Sequence, residues 1–88
     1  MPDTQLRQFL LSALRDANVF GLEDESINKS FISANSDIAF ENLDMDSLAR
    51  MEFCIALETE IGISITPQEL QEFRSLGELI ERLKKKAR

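Results

Sequence analysis

Ser47 carries the side chain of this sequence whose setting asks most for a chemical explanation, a lone hydroxyl inside the acidic run "FENLDMDSLARMEF" at residues 40–53. A serine attacks a substrate only when a base takes its proton. The chain has no histidine, which removes Ser-His-Asp and Cys-His catalysis and most zinc sites together. No lysine lies close to Ser47 in sequence to act instead. A calcium loop fails too. Asp44 and Asp46 suit the first two ligand positions of an EF-hand, but Leu48 takes the next, no glycine follows, and Ile55 stands where the closing glutamate belongs. Two readings of Ser47 survive: it starts a helix, or it holds an attached group. Backbone N–H groups at a helix N-terminus offset an anion by roughly 0.3–1 kcal/mol, so a phosphodiester on this hydroxyl is tolerated. Residue properties alone leave the two readings even.

The whole chain sets the frame for that residue. Its 88 residues, 43% of them hydrophobic, suit one domain with one small core. We expect a single free-standing domain over residues 1–88. The apolar runs are too short for a membrane span, and no stretch after Met1 has the form of a signal peptide. One cysteine, Cys54, forms no internal disulfide, so a cytoplasmic monomer is expected. The net charge of −6 argues against nucleic acid as a partner. Its distribution is more telling. Residues 36–63 hold seven acids (Asp37, Glu41, Asp44, Asp46, Glu52, Glu58, Glu60) and one base, Arg50, which accounts for the entire imbalance.

The elements that carry Ser47 follow from periodicity and end signals. Leu6, Phe9, Leu10, Ala13, Leu14 and Ala17 predict an amphipathic helix over residues 4–17, capped by Asp3 and ending near Asn18. Residues 18–46 show no period and predict a long ordered loop, pinned by Ile27, Phe31, Ile32, Ile38, Phe40 and Leu43, with a helical turn around residues 37–41. A helix over residues 47–61 has Asp46 as its cap and Gly62 as its stop. One face bears Phe53, Cys54, Leu57 and Ile61; the other bears Leu48, Met51, Glu52, Ile55 and Thr59. Either both faces touch the core, or Leu48, Met51 and Ile55 form a docking surface rimmed by Glu52 and Glu58. "TPQE" at residues 66–69 is a capping box with proline first in the helix, predicting a short helix that ends near Phe73. "SLGE" at residues 75–78 repeats the box before a last helix with Leu76, Leu79, Ile80 and Leu83. The closing "KKKAR" suits a solvated helix C-terminus. The fold class expected is all-α, a small bundle of three main helices plus one short helix.

The stretch "FENLDMDSLARMEFCIALETEIGISITPQEL" at residues 40–70 resembles the central motif of the acyl carrier protein family. The likeness rests on Asp46, Ser47 and Leu48, then Glu52, Leu57 and Glu58, then Glu60 with Gly62, Ile63 and Ile65, and finally Pro67. The resemblance implies an acyl-carrier-like bundle and a 4′-phosphopantetheine arm on Ser47, installed from coenzyme A by a phosphopantetheinyl transferase. It implies no catalysis by the protein itself. Acyl thioesters on the arm would pass between acyl-loading, condensing and acyl-transferring enzymes with basic docking patches, which meet Leu48, Met51, Glu52, Ile55 and Glu58. Small apolar cargo would tuck against Phe53, Leu57 or Ile61.

Two positions depart from the family pattern. Asp44 stands where glycine is common, and Arg50 puts a cation in a helix that is usually acidic. Arg50, together with Ala49, weakens the match to carriers of general fatty acid synthesis and directs the expectation to a specialised lipid or polyketide pathway. The alternatives are a peptidyl or aryl carrier of a nonribosomal peptide pathway, and an unmodified acidic interaction module.

Overall fold

Apolar side chains one turn apart carry the chain straight into α1, Asp3–Asp16, in the computed structural model, which describes residues 2–86. Leu6, Leu10, Leu11 and Leu14 are buried, and Phe9 is half-buried. Pro2 is the cap and Asp3 the first helical residue, so the helix starts one residue earlier than expected and Asp3 is not its cap. Its carboxylate works across the fold instead, accepting from Arg7 Nε at 2.8 Å and pairing with Lys84 Nζ at 2.8 Å. Hydrogen bonds from Lys84 and Arg7 hold the Asp3 carboxyl below its ordinary value. Asn18 ends the turn at a φ of 61°, a left-handed angle that asparagine tolerates better than most residues.

The expected loop over residues 18–46 is ordered but contains a helix, α2, Glu25–Ile32. Asp24 caps it, accepting the N–H groups of Ser26 and Ile27. Its pattern was hidden because a polar residue is inside and an apolar one outside. Asn28 is buried and donates through Nδ2 to the Leu22 carbonyl at 2.9 Å, whereas Ile27 is 48% exposed. That exposure corrects the expectation that Ile27 pins this segment. Phe31, fully buried, does so together with Ile38 and Leu43. A 3₁₀ turn at Phe40–Asn42 overlaps the end of the turn predicted around residues 37–41.

The longest helix, α3, runs Ser47–Ile61 between the two signals read from sequence, Asp46 and a left-handed Gly62. Phe53, Cys54 and Leu57 face the core with Ala49, and Ile61 is half-buried. Burial pushes the Cys54 thiol up, with a smaller push from Glu69. A thiolate-directed reagent at pH 8 should therefore leave Cys54 intact in the folded protein and label it within minutes in denaturant, as read by intact mass. Fast labelling of the native protein would put Cys54 on the wrong face of α3.

Thr66 opens α4, Pro67–Leu70, with the capping box complete, and this helix stops three residues before Phe73. In α5, Leu76–Lys86, the second box is only half made. Ser75 Oγ accepts from the Glu78 N–H, but Glu78 reaches the Arg74 N–H. A different first-turn donor is satisfied from far away: Asp37 Oδ1 accepts from the Gly77 N–H at 2.8 Å. The basic end is tied down, with Lys84 on Asp3 and Glu81 and Lys86 on Glu69. Ala87 and Arg88 of the basic run lie outside the described residues. Leu10, Leu14, Phe53, Leu57, Leu79 and Ile80, all fully buried, belong to one core cluster with side chains from α1, α3 and α5. The fold is the all-α bundle expected, with α2 added.

Candidate functional site

Ser47 is the first residue of α3, and the residue before it does the capping. Asp46 Oδ1 accepts from the Ala49 N–H at 2.8 Å, and the Asp46 carbonyl accepts the first helical bond from Arg50 N–H. Ser47 is thereby relieved of a structural task. Its side chain is exposed, and its hydroxyl has no hydrogen-bond partner among the described residues. The Ser47 and Leu48 N–H groups likewise lack backbone partners there, as the first groups of any helix do. An exposed hydroxyl thus sits at the positive end of a 15-residue helix dipole.

The turn that delivers Ser47 is held from three sides. The Asp44 N–H donates to the Phe20 carbonyl at 2.9 Å. Gly21, at a φ of 110°, lies so close to the Asn42 carbonyl that a Cβ there would run into it. Arg50 Nη1 donates to the Met45 carbonyl at 2.9 Å, so Arg50 serves the turn and does not pair with Asp46. Asp44 keeps an ordinary negative φ, and the glycine common at that place in the family is not needed here.

Leu48, Met51 and Ile55 are 63%, 52% and 60% exposed. Of the two arrangements open for α3, the outward one is observed. Glu52 and Glu58 are exposed beside them and, like Asp44 and Asp46, form no ion pair among the described residues. Asp46, Ser47, Leu48, Met51, Glu52, Ile55 and Glu58 therefore all lie along one solvent-facing strip beginning at Ser47. Phe20, 63% exposed, joins this surface from the segment after α1. No local pattern marks it, because its neighbours in space come from α3. Phe53 and Leu57 are fully buried, so cargo reaches them only by parting helices. Among the described residues, no group of His, Cys, Asp or Glu is placed to hold a metal ion. No helix of the described residues is long and apolar enough to cross a membrane.

A family model described as phosphopantetheine attachment site matches residues 17–83, a span that contains the Ser47 turn and all of α3. The chain belongs to that family. No curated protein and no solved structure matches it. Members of the phosphopantetheine attachment family carry covalently attached 4′-phosphopantetheine, and this chain is a carrier protein of the acyl carrier type. A carrier domain works through partner enzymes, phosphopantetheinyl transferases among them. The residues present fit the group. An unencumbered hydroxyl, two unpartnered backbone N–H groups and a rigidly held turn are what an attached phosphodiester requires.

Proposed function

We propose that Ser47 carries the 4′-phosphopantetheine arm and that the protein is a non-catalytic acyl carrier. The observation that carries this reading is the exposed, unbonded Ser47 hydroxyl at the first position of α3, with Asp46 supplying the cap. The arm supplies a terminal thiol that holds acyl groups as thioesters between partner enzymes. The chain's own residues present and orient it. Asp46 and Arg50 fix the turn, and the α3 dipole stabilises negative charge next to Ser47. Leu48, Met51 and Ile55 give partners an apolar contact, and Glu52 and Glu58 face their basic patches.

A specialised lipid or polyketide pathway in the cytoplasm is the setting we favour, because Arg50, with Ala49, departs from the general fatty-acid pattern. A peptidyl or aryl carrier shares the same arm, and the mass of cargo on protein purified from its source separates the two. An unmodified interaction module is the rival of a different class. Incubation with coenzyme A, Mg²⁺ and a broad-specificity transferase decides against it if intact mass rises by one arm. No gain with several transferases would favour the unmodified module.

The charged rim gives a second expectation. Glu52→Lys and Glu58→Lys should each slow acyl loading by the protein's own partner several-fold at low salt. Exposed charges act mainly on encounter rate, and the Debye length falls to about 8 Å at 0.15 M, so the effect should shrink as salt rises. Rates indifferent to charge reversal at every ionic strength would reduce these acids to a solvated face.

A further inference from the structure

We propose that Phe20 is a recognition residue, which with Leu48 forms the walls of a groove that takes an arginine side chain from the enzyme docking on this carrier. The proposal rests on the reading that partners approach Ser47. It adds a residue from outside α3 and a defined chemistry for what meets it.

Phe20 is held rigidly with its ring in water. Val19 and Leu22 on either side are buried, the Val19 N–H donates to the Leu14 carbonyl at 3.0 Å, and the Phe20 carbonyl accepts from Asp44. The backbone is fixed at both ends, yet the aromatic side chain contributes nothing to the core. Across from it stands Leu48, equally exposed at 63%. Between the two runs an open groove of about 260 Å³. Ala17 and Ala49, both small and buried, leave room at its floor. Asp44, Asp46 and Glu52 line it as well, without a cationic partner among the described residues.

Charge and shape select the occupant. An anion is repelled by three carboxylates, and a neutral apolar side chain would strip them of water without compensation. A guanidinium satisfies both features, since its flat face stacks on an aromatic ring while its edge donates to carboxylates in pairs. Lysine offers only a compact, strongly hydrated charge. The chain's own arginines already pair in this way, with Arg7 lying 4.8 Å from the Phe31 ring centre and Arg82 5.4 Å from that of Phe73. Asp46 and Leu48 flank Ser47 directly, so an enzyme that reaches the hydroxyl comes within reach of the groove.

The test titrates isotope-labelled protein, unmodified and arm-bearing, with tetra-arginine and tetra-lysine peptides at low salt, following chemical shifts. The largest shifts should fall on the Phe20 ring and Leu48 methyls, with tetra-arginine bound roughly two- to fivefold tighter, the size of an exposed cation–π contact. Phe20→Ala should abolish that preference and Phe20→Trp should keep it. Phe20→Leu should behave as alanine does if stacking is the cause. Thermal unfolding of all three variants should match wild type, because the ring is exposed. Shifts that spread along α3 without Phe20 would overturn the proposal, as would a preference that survives Phe20→Ala. A concentration-dependent dimer dissolved by Phe20→Ala would overturn it in favour of a second copy of the chain. Titration of the unmodified protein reads the groove whether or not Ser47 accepts an arm, so the two ideas fail separately.

Discussion

The Ser47→Ala protein should gain no mass on incubation with coenzyme A, Mg²⁺ and a phosphopantetheinyl transferase, while wild type should gain one arm. In the proposed transfer the Ser47 Oγ would bond to the phosphorus that bears pantetheine, the pyrophosphate bond of coenzyme A would break, and the nucleotide would leave. The hydroxyl proton would pass to a base of the transferase, since this chain has no histidine to take it. Alanine has no oxygen to replace the serine, so the loss should be complete and not partial. The variant should nonetheless fold. Ser47 is exposed and the helix is capped by Asp46 Oδ1 on Ala49 N–H, and exposed substitutions away from caps and cores usually stay within about 0.5 kcal/mol. Circular dichroism and thermal unfolding check that point alongside the mass. An arm on Ser30, Ser36 or any serine other than Ser47 would sink the assignment.

Phe31→Ala should be the most damaging single change in the segment between α1 and α3. The ring is fully buried, and the Arg7 guanidinium lies over it while Arg7 Nη1 donates to the Phe31 carbonyl at 3.0 Å. Truncating a buried phenylalanine costs about 3–5 kcal/mol. A chain of 88 residues has a total stability of about 4–13 kcal/mol. The substitution therefore removes a large share of it, and the unfolding midpoint should fall by roughly 12 °C or more. Phe31→Leu, which keeps most of the apolar volume, should lose far less. Urea and thermal unfolding give both values. A Phe31→Ala loss below about 1 kcal/mol would mean that α2 lies on the surface and is not anchored in the core.

What could be read from sequence shares one property: its cause lies within about one helical turn. Asp46 before Ser47, Gly62 after Ile61 and Thr66 with Glu69 are local hydrogen-bond and backbone signals, and each marks a boundary observed in the fold. The apolar spacing of α1 and α5, the acidic run around Ser47 and the aspartate-serine-leucine triplet are equally local. They suffice for an all-α bundle with a hydroxyl at a helix start.

Other features depend on residues far apart in the chain, and only tertiary packing decided them. The sequence shows two apolar faces on α3, but packing against α1 and α4 determines that Phe53 and Leu57 go inside while Leu48, Met51 and Ile55 stay in water. Only six residues separate the buried Asn28 of α2 from the Leu22 carbonyl it bonds, but the pairing depends on α2 being packed inward, which no periodicity reveals. Asp37 completes the start of α5 from 40 residues away. Phe20 stands beside Leu48 because residues 20–22 pack against residues 42–44. An exposed side chain and a buried one can have identical local sequence; the difference is whether the rest of the fold covers them.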